Sequence, residues 1–230
     1  MSVCIIPARG GSRRIPRKNI RDFCGQPMIA WSIRAAIDSG CFDRIMVSTD
    51  DDEIASVAED CGAEIPFLRA AGLADDHTPT VPVIADAIHR LDIADRTPVC
   101  CLYATAPFVL PGDLRAGLAR LADTGARFVI AVTTYAFPIQ RALRRAATGE
   151  VEMIDPARMQ TRSQDLEEAW HDAGQFYWGR AKSWTEGGAI FGVGAQGLPL
   201  PRYRVVDIDT EEDWQRAEWT MRVMQQDGRA

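Results

Sequence analysis

A short apolar run that leads directly into a glycine-containing basic loop is the feature that most constrains the fold of this chain. Residues 3–6 are Val-Cys-Ile-Ile, and the loop that follows, residues 7–19, carries Gly10 and Gly11. Apolar runs rich in β-branched residues predict buried strands. In α/β proteins with a parallel sheet, ligands bind in the loops at the carboxyl ends of the strands. The start of the chain therefore predicts an α/β fold with a ligand site beside the first strand.

Further apolar runs continue this pattern along the chain. Strands are predicted at residues 44–49, 63–67, 98–103 and 128–133, and shorter regular segments at 175–178, 189–192 and 204–208. Helices are predicted from near Pro27, from Asp50 to residues 61–62, and over 80–91, 113–121 and 211–225. This alternation indicates βαβ crossovers, and hence a mainly parallel sheet covered by helices on both faces. The whole chain, residues 1–230, is predicted to form one domain.

The periodicity breaks down between residues 136 and 186. Prolines, glycines and many charged residues separate isolated aromatic residues in this stretch. An irregular stretch of this length in a compact domain usually belongs to a binding site or contacts a partner. We therefore expect this part of the chain to serve a site or an interface.

Composition limits the classes of protein that need to be considered. The 230 residues are 47% hydrophobic and 25% charged, enough for one substantial core, and no apolar run approaches membrane-spanning length. The formal net charge of -6 argues against a nucleic-acid partner. No basic segment precedes residues 3–6, and the six cysteines show no C-x-x-C spacing. We therefore expect a cytoplasmic protein that binds neither membranes nor nucleic acids.

The loop after the first predicted strand concentrates positive charge in this acidic chain. Its glycines allow the backbone to approach an anion closely. The cations around them are Arg9, Arg13, Arg14, Arg17 and Lys18. The loop matches neither of the nucleotide-binding patterns G-x-x-x-x-G-K-[ST] and G-x-G-x-x-G. A triphosphate is the ligand that this loop favours, and the alternative is a solvated basic loop without a ligand.

A pair of aspartates lies near the end of the chain. If residues 204–208 form a strand, Asp207 and Asp209 point to one side of it and Ile208 to the other. Two neighbouring carboxylates repel unless a cation lies between them, and Mg²⁺ takes carboxylate and phosphate oxygens as ligands. The pair is therefore a candidate Mg²⁺ site. The alternative is the start of a helix, with Thr210 and Asp213 as a variant of the capping box.

Taken in order, these segments resemble the CMP-sialic acid synthetases. The resemblance rests first on residues 6–20, Ile-Pro-Ala-Arg-Gly-Gly-Ser-Arg-Arg-Ile-Pro-Arg-Lys-Asn-Ile. It continues through Ser-Thr-Asp at 48–50, Leu-Arg at 68–69, Leu-Ala-Asp-Asp at 73–76, Thr-Ala-Pro at 105–107 and Asp-Ile-Asp at 207–209. Residues 103–108 and 171–178 are most similar to the pseudaminic acid cytidylyltransferases within that family. The sialic acid enzymes carry Gln where this chain has Tyr103, and Arg-Pro-Asn-Gly where it has residues 171–174.

The resemblance implies a Rossmann-like, doubly wound α/β fold and a CTP-dependent enzyme that uses Mg²⁺. Such an enzyme transfers CMP from CTP to the anomeric hydroxyl of an acidic nine-carbon sugar, here with pseudaminic acid favoured, and releases pyrophosphate. The resemblance also implies a homodimer in which an inserted dimerisation segment, residues 136–170, reaches the partner's site. The rival hypotheses are a synthetase for N-acetylneuraminic, legionaminic or keto-deoxy acid, and a non-catalytic CTP-binding sensor.

The resemblance further assigns roles to single residues. Those expected to bind the nucleotide are Ala8, Arg9, Gly10, Gly11, Ser12, Arg13, Lys18, Asn19 and Arg69. Those expected at the sugar are Thr80, Tyr103, Gln175, Tyr177, Arg162, Gln164 and His171, of which Arg162 and Gln164 could contact the partner's sugar. Catalysis is assigned to Arg9, Arg13, Lys18, Asp207 and Asp209, with the two aspartates as Mg²⁺ ligands. Phe176 and Trp178 alternate with Gln175 and Tyr177, and they are predicted to pack in the core.

Overall fold

The computed structural model describes residues 1–75 and 78–228, so Asp76 of the matched segment 73–76 and His77 lie outside the described residues. The strands are β1 (Val3–Pro7), β2 (Asp22–Phe23), β3 (Gln26–Pro27), β4 (Arg44–Ser48), β5 (Pro98–Leu102), β6 (Phe128–Thr134), β7 (Leu143–Arg145), β8 (Val151–Met153), β9 (Trp170–Arg180) and β10 (Ala195–Pro199). The helices are α1 (Met28–Ser39), α2 (Asp52–Asp60), α3 (Thr80–Arg90), α4 (Pro111–Thr124), α5 (Ala181–Thr185) and α6 (Glu211–Gln226). The predicted alternation of strands and helices in the first 134 residues is confirmed except at two places: β1, β2 and β3 all precede α1, and α3 follows α2 without a strand between them.

The main sheet of this part of the chain has six strands in the order β10-β6-β9-β5-β1-β4. Strands β4, β1 and β5 run parallel to one another, and β10 runs parallel to β6. Strand β9 lies between β5 and β6 and is antiparallel to both. The predicted mainly parallel α/β sheet is confirmed, with one reversed strand in its middle.

Helices cover both faces of the sheet, so β1 in its interior is buried on both sides. On β1, Cys4 and Ile6 pack with α1, α2 and α4, whereas Val3 and Ile5 pack with α3 and α5. Continuous apolar strands of this kind are typical of parallel sheets buried on two faces. The doubly wound arrangement predicted for the fold is therefore present.

All six cysteines are free thiols, and Cys4 lies beside Cys100 in the register of β1 and β5.

A third, smaller core lies beside the sheet, where α6 packs on the ribbon formed by β2 and β3. Phe23 contacts the rings of Trp214 and Phe108 edge to face, with centroids 5.4 Å and 6.4 Å away. Ile15 of the basic loop and Ile208 of the aspartate segment are both buried in this core. The third core thus holds together two segments that are far apart in the sequence, the loop and the aspartate pair.

Several predicted elements differ from the structure. Residues 63–67 contain only one isolated bridge, from Glu64 to Met46 of β4, and residues 189–192 form no strand. Residues 204–208 were expected to be a strand, but they follow a 3₁₀ turn (Arg202–Arg204) as an irregular segment without a strand partner. Strand β10 was not predicted, and its sequence, Ala-Gln-Gly-Leu-Pro, carries no strand signal. Helix α2 begins after Asp51, which caps it, and not at Asp50.

The segment 136–170 leaves the sheet as an excursion that contains the antiparallel hairpin of β7 and β8. Large apolar side chains are exposed along it. They include Phe137, Leu143, Val151, Ile154 and Met159, and Phe137 is 83% exposed. An exposed apolar surface of this kind marks an interaction site more often than a free surface.

No helix within residues 1–75 and 78–228 combines the length and the apolar character needed to cross a bilayer.

Candidate active site

A cleft of about 660 Å³ opens at the carboxyl ends of β1 and β5, beside the first turn of α3. The predicted site residues that line it are Arg9, Ser12, Arg13, Lys18, Asn19, Arg69, Thr80, Tyr103 and Asp209. Residues from the basic loop, from two strand ends, from α3 and from the aspartate segment therefore meet in one cavity. This position at the carboxyl edge of the sheet is the one predicted from the sequence.

Arg17 anchors the basic loop to the next helix. Its backbone is left-handed, with φ at 57°, and its guanidinium pairs with Asp51, at 2.5 Å from Nη1 to Oδ2, and with Glu53. Asp51 also accepts hydrogen bonds from the backbone amides of Glu53 and Ile54 and so caps α2. The hydrogen bond from Arg17 lowers the pKa of Asp51. Arg17 does not line the cleft, so its charge stabilises the shape of the loop and was wrongly counted among the charges offered to a ligand.

The two glycines of the loop have different surroundings. The amide of Gly10 donates a hydrogen bond to Asp50 Oδ1 at 3.0 Å. A Cβ on Gly10 would also lie 2.7 Å from Asp51 Oδ2, whereas a Cβ on Gly11 would meet no atom within 4 Å. The close approach that requires glycine at position 10 is therefore to the protein itself. A side chain at position 11 would meet open space, but neither Gly10 nor Gly11 is among the residues that line the cleft.

Two further predicted nucleotide ligands hold the loop in place. Ser12 Oγ donates to the carbonyl of Ile15 at 2.6 Å, and Asn19 Nδ2 donates to the carbonyl of Arg9 at 2.9 Å. Both side chains also border the cleft. Ala8, by contrast, is buried and packs in the main core, and so it supports the loop from below.

Arg69 reaches the cleft from the segment that follows α2. Its Nε donates to Ser48 Oγ at 3.1 Å, its Nη1 donates to the carbonyl of Leu73 at 3.4 Å, and its Nη2 donates to the carbonyl of Ser48. The side chain is buried, and desolvation lowers its pKa. Arg69 therefore joins the end of β4 to residues 68–73 and presents a guanidinium to the cleft.

The aspartate segment lies across the cleft from β1. Asp209 pairs with Arg14 Nη2 at 2.8 Å and with Lys18 Nζ at 3.5 Å, and Lys18 also donates to the carbonyl of Ile208 at 2.6 Å. Lys18 thus links the loop to this segment by two contacts. Arg14 lines the cleft and was not among the predicted site residues, although its position in the basic loop was a signal for it.

The two aspartates differ in environment. Asp207 is exposed and is not among the residues that line the cleft, whereas Asp209 lines it. Desolvation and the neighbouring charge of Asp209 raise the pKa of Asp207. The segment is irregular, but the alternation predicted for it is present: Ile208 is buried, and Asp207 and Asp209 on either side of it are not. The capping box at Thr210 and Asp213 is present, so the alternative interpretation of this segment as a helix start is confirmed, and the Mg²⁺ site stays a prediction.

The opposite wall of the cleft is aromatic. Tyr103 and Thr80 share a hydrogen bond of 2.9 Å between their hydroxyls, and both line the cleft. The ring of Tyr177 packs edge to face on Tyr103 at 5.6 Å, and its hydroxyl donates to Asp172 Oδ2. Desolvation raises the pKa of Tyr103 to about 12. Tyr177 is only 3% exposed, so it lies behind Tyr103 and does not face the cleft.

The remaining predicted sugar residues are not at the cleft surface. Gln175 is buried and its Nε2 donates to the carbonyl of Arg204 at 2.6 Å. His171 packs against Tyr135, with ring centroids 4.7 Å apart. Arg162 and Gln164 are exposed in the segment 136–170, where Arg162 Nε pairs with Asp165 at 2.9 Å. The structure of one chain therefore does not bring these four residues to the cleft.

The core prediction for strand β9 is confirmed. Phe176 and Trp178 are fully buried on one face of the sheet, and Tyr177 packs on the other face. This alternation follows from the period of two in a strand.

A basic glycine loop at the carboxyl edge of a parallel sheet defines this chain as an α/β protein built to bind a nucleotide or a similar anion. A family model described as cytidylyltransferase matches residues 3–183. A pseudaminic acid cytidylyltransferase of Campylobacter jejuni is 45% identical over 214 residues, which cover 92% of each chain. The chain therefore belongs to the cytidylyltransferase family.

Two further similarities fit this assignment. A CMP-N,N'-diacetyllegionaminic acid synthase of Legionella pneumophila is 31% identical over 233 residues, which cover 97% of each chain. A solved structure of CMP:2-keto-3-deoxy-manno-octonic acid synthetase complexed with CTP superposes with a TM-score of 0.71, over 96% of this chain and 98% of that chain. Its sequence is only 17% identical, so this likeness shows the fold alone.

Proposed function

We propose that this chain transfers CMP from CTP to the anomeric hydroxyl of an acidic nine-carbon sugar, with pseudaminic acid as the favoured sugar, and releases pyrophosphate. The observation that carries the proposal is that two walls of different chemistry face one cleft. The basic loop and Asp209 form one wall, and the hydroxyl-bearing pair of Tyr103 and Thr80 forms the other. The relatives that are 45% and 31% identical are named for the activation of such sugars.

In this proposal the basic wall holds the triphosphate. Arg9, Arg13 and Lys18 border the cleft and would neutralise charge on the phosphate oxygens, which increases as the α-phosphorus is attacked. Gly11 borders open space, where the backbone can approach a phosphate. Gly10 would join it only after its amide is released from Asp50. Asn19 and Arg69 border the same cleft and would contact the nucleoside.

The aspartate pair fits Mg²⁺. Asp209 attracts two cationic side chains, and desolvation together with the charge of Asp209 raises the pKa of Asp207, so a divalent ion would relieve the repulsion between the two carboxylates. Mg²⁺ commonly binds through one or two carboxylates together with substrate phosphates. Bound there, it would polarise the phosphates and lower the pKa of the attacking hydroxyl. Within residues 1–75 and 78–228, no group of three or more His, Cys, Asp or Glu side chains is arranged to hold a metal. The proposed site has only two carboxylates, so it would depend on the substrate phosphates for its other ligands.

The aromatic wall would hold the sugar. Tyr103 and Thr80 offer an apolar ring and hydroxyls, which suit a sugar with hydroxyl and acetamido groups. Tyr177 would support Tyr103 from behind. Holding the anomeric hydroxyl in line with the α-phosphorus would itself supply a large part of the rate acceleration.

We also propose that the segment 136–170 forms a homodimer interface and that Arg162, Gln164 and His171 act at a shared site. The exposed apolar side chains of this segment support the interface. Sedimentation of the wild type and of Phe137→Asp tests it, because a charge at that side chain should convert a dimer to a monomer. A monomeric wild type would overturn the proposal.

The cytoplasm is proposed as the compartment because all six cysteines are free, including Cys4 and Cys100, which are neighbours in adjacent strands.

A pyrophosphate-release assay tests the reaction. The purified chain, CTP and Mg²⁺ are combined in turn with pseudaminic, legionaminic, N-acetylneuraminic and keto-deoxy acids. The highest kcat/KM is expected with pseudaminic acid. Faster turnover of another sugar would replace the substrate, and binding of CTP with no turnover of any sugar would make the chain a nucleotide sensor.

A further inference from the structure

We propose that Gln175 is a positioning residue that fixes the spacing between the two walls of the cleft. Its predicted role was direct contact with the sugar, but its side chain is buried and bonds to the backbone at the start of the aspartate segment, residues 204–209. The inference deepens the proposed function and rests on it for the reaction that takes place between the two walls.

Gln175 is hydrogen-bonded to both walls. Its backbone carbonyl accepts the amide of Tyr103, which belongs to the aromatic wall, at 2.9 Å. Its side-chain Nε2 donates to the carbonyl of Arg204 at 2.6 Å, where the segment that carries Asp209 begins. The residue is only 3% exposed, so water has little access to it. One residue of β9 therefore joins the aromatic wall through its main chain and the Asp209 wall through its side chain.

The aspartate segment is fixed from its two ends. Residues 205–209 belong to no helix or strand, so no ladder of backbone hydrogen bonds holds them. At the far end, Ile208 is buried in the third core, and its carbonyl accepts Lys18 Nζ at 2.6 Å. At the near end, Gln175 holds the carbonyl of Arg204. The position of Asp209 in the cleft depends on both contacts.

The side chain of Arg204 does not replace the contact with Gln175. Its Nη2 pairs with Asp113 Oδ1 at 3.0 Å, and its Nη1 donates to the carbonyl of Phe108 at 3.3 Å. These bonds fix the tip of a long side chain, whose rotatable bonds still let the backbone shift. Gln175 holds the backbone itself. Its Nε2 bond is therefore the contact that sets where the segment starts.

The other atom of the Gln175 amide shows that packing alone does not explain this residue. Oε1 is buried and has no hydrogen-bond partner among the residues that the structure describes. A buried polar atom without a partner lowers stability, so an apolar side chain of similar length would suit a purely structural position better. The Nε2 bond accounts for a glutamine at this position.

Gln175→Met tests the proposal, because it keeps the length of the side chain and removes the donor. We expect kcat to fall about 10- to 100-fold, since the reacting groups on the two walls lose their alignment. KM for the sugar and for CTP should change less than about twofold, because Tyr103, Thr80 and the basic loop remain. Gln196→Met, at an exposed position of β10, is the matched control and should leave all three values unchanged. A larger rise in the sugar KM would show direct contact with the sugar, and an unchanged kcat would show that the bond positions nothing; either result would overturn the proposal.

Hydrogen exchange of single amides gives a second measurement that needs no substrate. The amide of Val205 belongs to the same peptide group as the carbonyl of Arg204 and donates to the carbonyl of Arg202 at 3.0 Å. In Gln175→Met it should exchange about tenfold faster, the effect of losing one hydrogen bond, whereas the amide of Ile5 inside the sheet should not change. Equal acceleration of both amides would show a general loss of stability, and no acceleration would show that the segment is held without Gln175. Both results would contradict the proposal.

Gln175→Asn separates the reach of the amide from its chemistry. It keeps the amide but is one methylene shorter, so its nitrogen is withdrawn from the carbonyl of Arg204. The variant should match Gln175→Met in kcat and in the exchange of the Val205 amide, and behaviour like the wild type would overturn the proposal. If the wild type turns over none of the acidic sugars, the proposed function fails, and the exchange data still decide whether Gln175 holds the segment.

Discussion

The carboxylate of Asp51 lies where a side chain on Gly10 would have to stand. A Cβ built on Gly10 is 2.7 Å from Asp51 Oδ2 and 3.0 Å from Asp51 Cβ. Asp51 cannot move aside easily, because it caps α2 and pairs with Arg17. The basic loop and the start of α2 are therefore in direct contact, and the shape of the loop depends on that contact.

The pair Gly10→Ala and Gly11→Ala should separate a glycine in close contact with its neighbour from one beside open space. Gly10→Ala is expected to lower the free energy of unfolding by about 1–3 kcal/mol, because the new methyl group overlaps Asp51. Gly11→Ala has open space around it and should stay within about 0.5 kcal/mol of the wild type. Urea unfolding measures both. Equal stability of the two variants would show that the contact imposes no constraint.

Asp209→Ala should abolish turnover and leave nucleotide binding intact. We expect kcat to fall by at least about 100-fold, since the proposed Mg²⁺ ligand is lost. CTP affinity should hold or improve, because Arg14 and Lys18 lose their anionic partner. Pyrophosphate release and calorimetric titration with CTP measure the two effects. Glu212→Gln, an exposed residue of α6, is the control, and near-normal turnover of Asp209→Ala with Mg²⁺ would refute the metal assignment.

Asp207→Asn should stabilise the metal-free protein at neutral pH. Desolvation and Asp209 raise the folded-state pKa of Asp207, so its ionised form is less favourable in the folded chain than in the unfolded one. That destabilisation is present at pH 7 and disappears as the pH falls below about 4. The gain should be below about 1 kcal/mol, since the side chain is exposed. Thermal unfolding with EDTA across this pH range measures it, and lower stability of the variant at pH 7 would contradict the prediction.

Two glycines of α4 offer a test of how the helix packs on the sheet. A Cβ on Gly117 would lie 2.6 Å from the Trp178 ring and 3.1 Å from the Phe176 ring. Gly117→Ala should therefore destabilise the fold by about 1–3 kcal/mol, despite the better helix propensity of alanine. Gly112→Ala, whose nearest atom would be 3.9 Å away, should stabilise it by up to about 1 kcal/mol. Chemical unfolding of both variants checks the difference in sign.

The strands and helices that were predicted correctly are those whose own sequence carries a clear pattern. Strands β1, β4, β5 and β6 are apolar runs bounded by polar loops, and α3 and α6 have clear amphipathic patterns. Strand β10 exists because it pairs with β6, a tertiary contact that its own glycine and proline do not signal. Residues 63–67 have a strand-like composition, but they make only one isolated bridge, from Glu64 to Met46, at the edge of the sheet. The antiparallel direction of β9 has no signal in its sequence.

The candidate site was also predicted only where the local sequence carried a signal. The cations of the basic loop indicated an anion site, but nothing in their order showed that Arg17 would turn to Asp51 and Glu53. The alternation in residues 175–178 placed Phe176 and Trp178 correctly. It could not show that Tyr103 would cover Tyr177, since those two residues meet only through the pairing of β5 with β9.

Because β9 alone among the strands of the described residues joins β5 to β6, the order of synthesis matters for this protein. A ribosome that has released the first 169 residues has released β1, β4, β5 and β6, but no backbone yet spans the gap between the two groups of strands. Nascent chains stalled before Trp170 should therefore remain open and sensitive to protease along that gap. Commitment to the native state comes late, when the reversed strand arrives and closes the sheet.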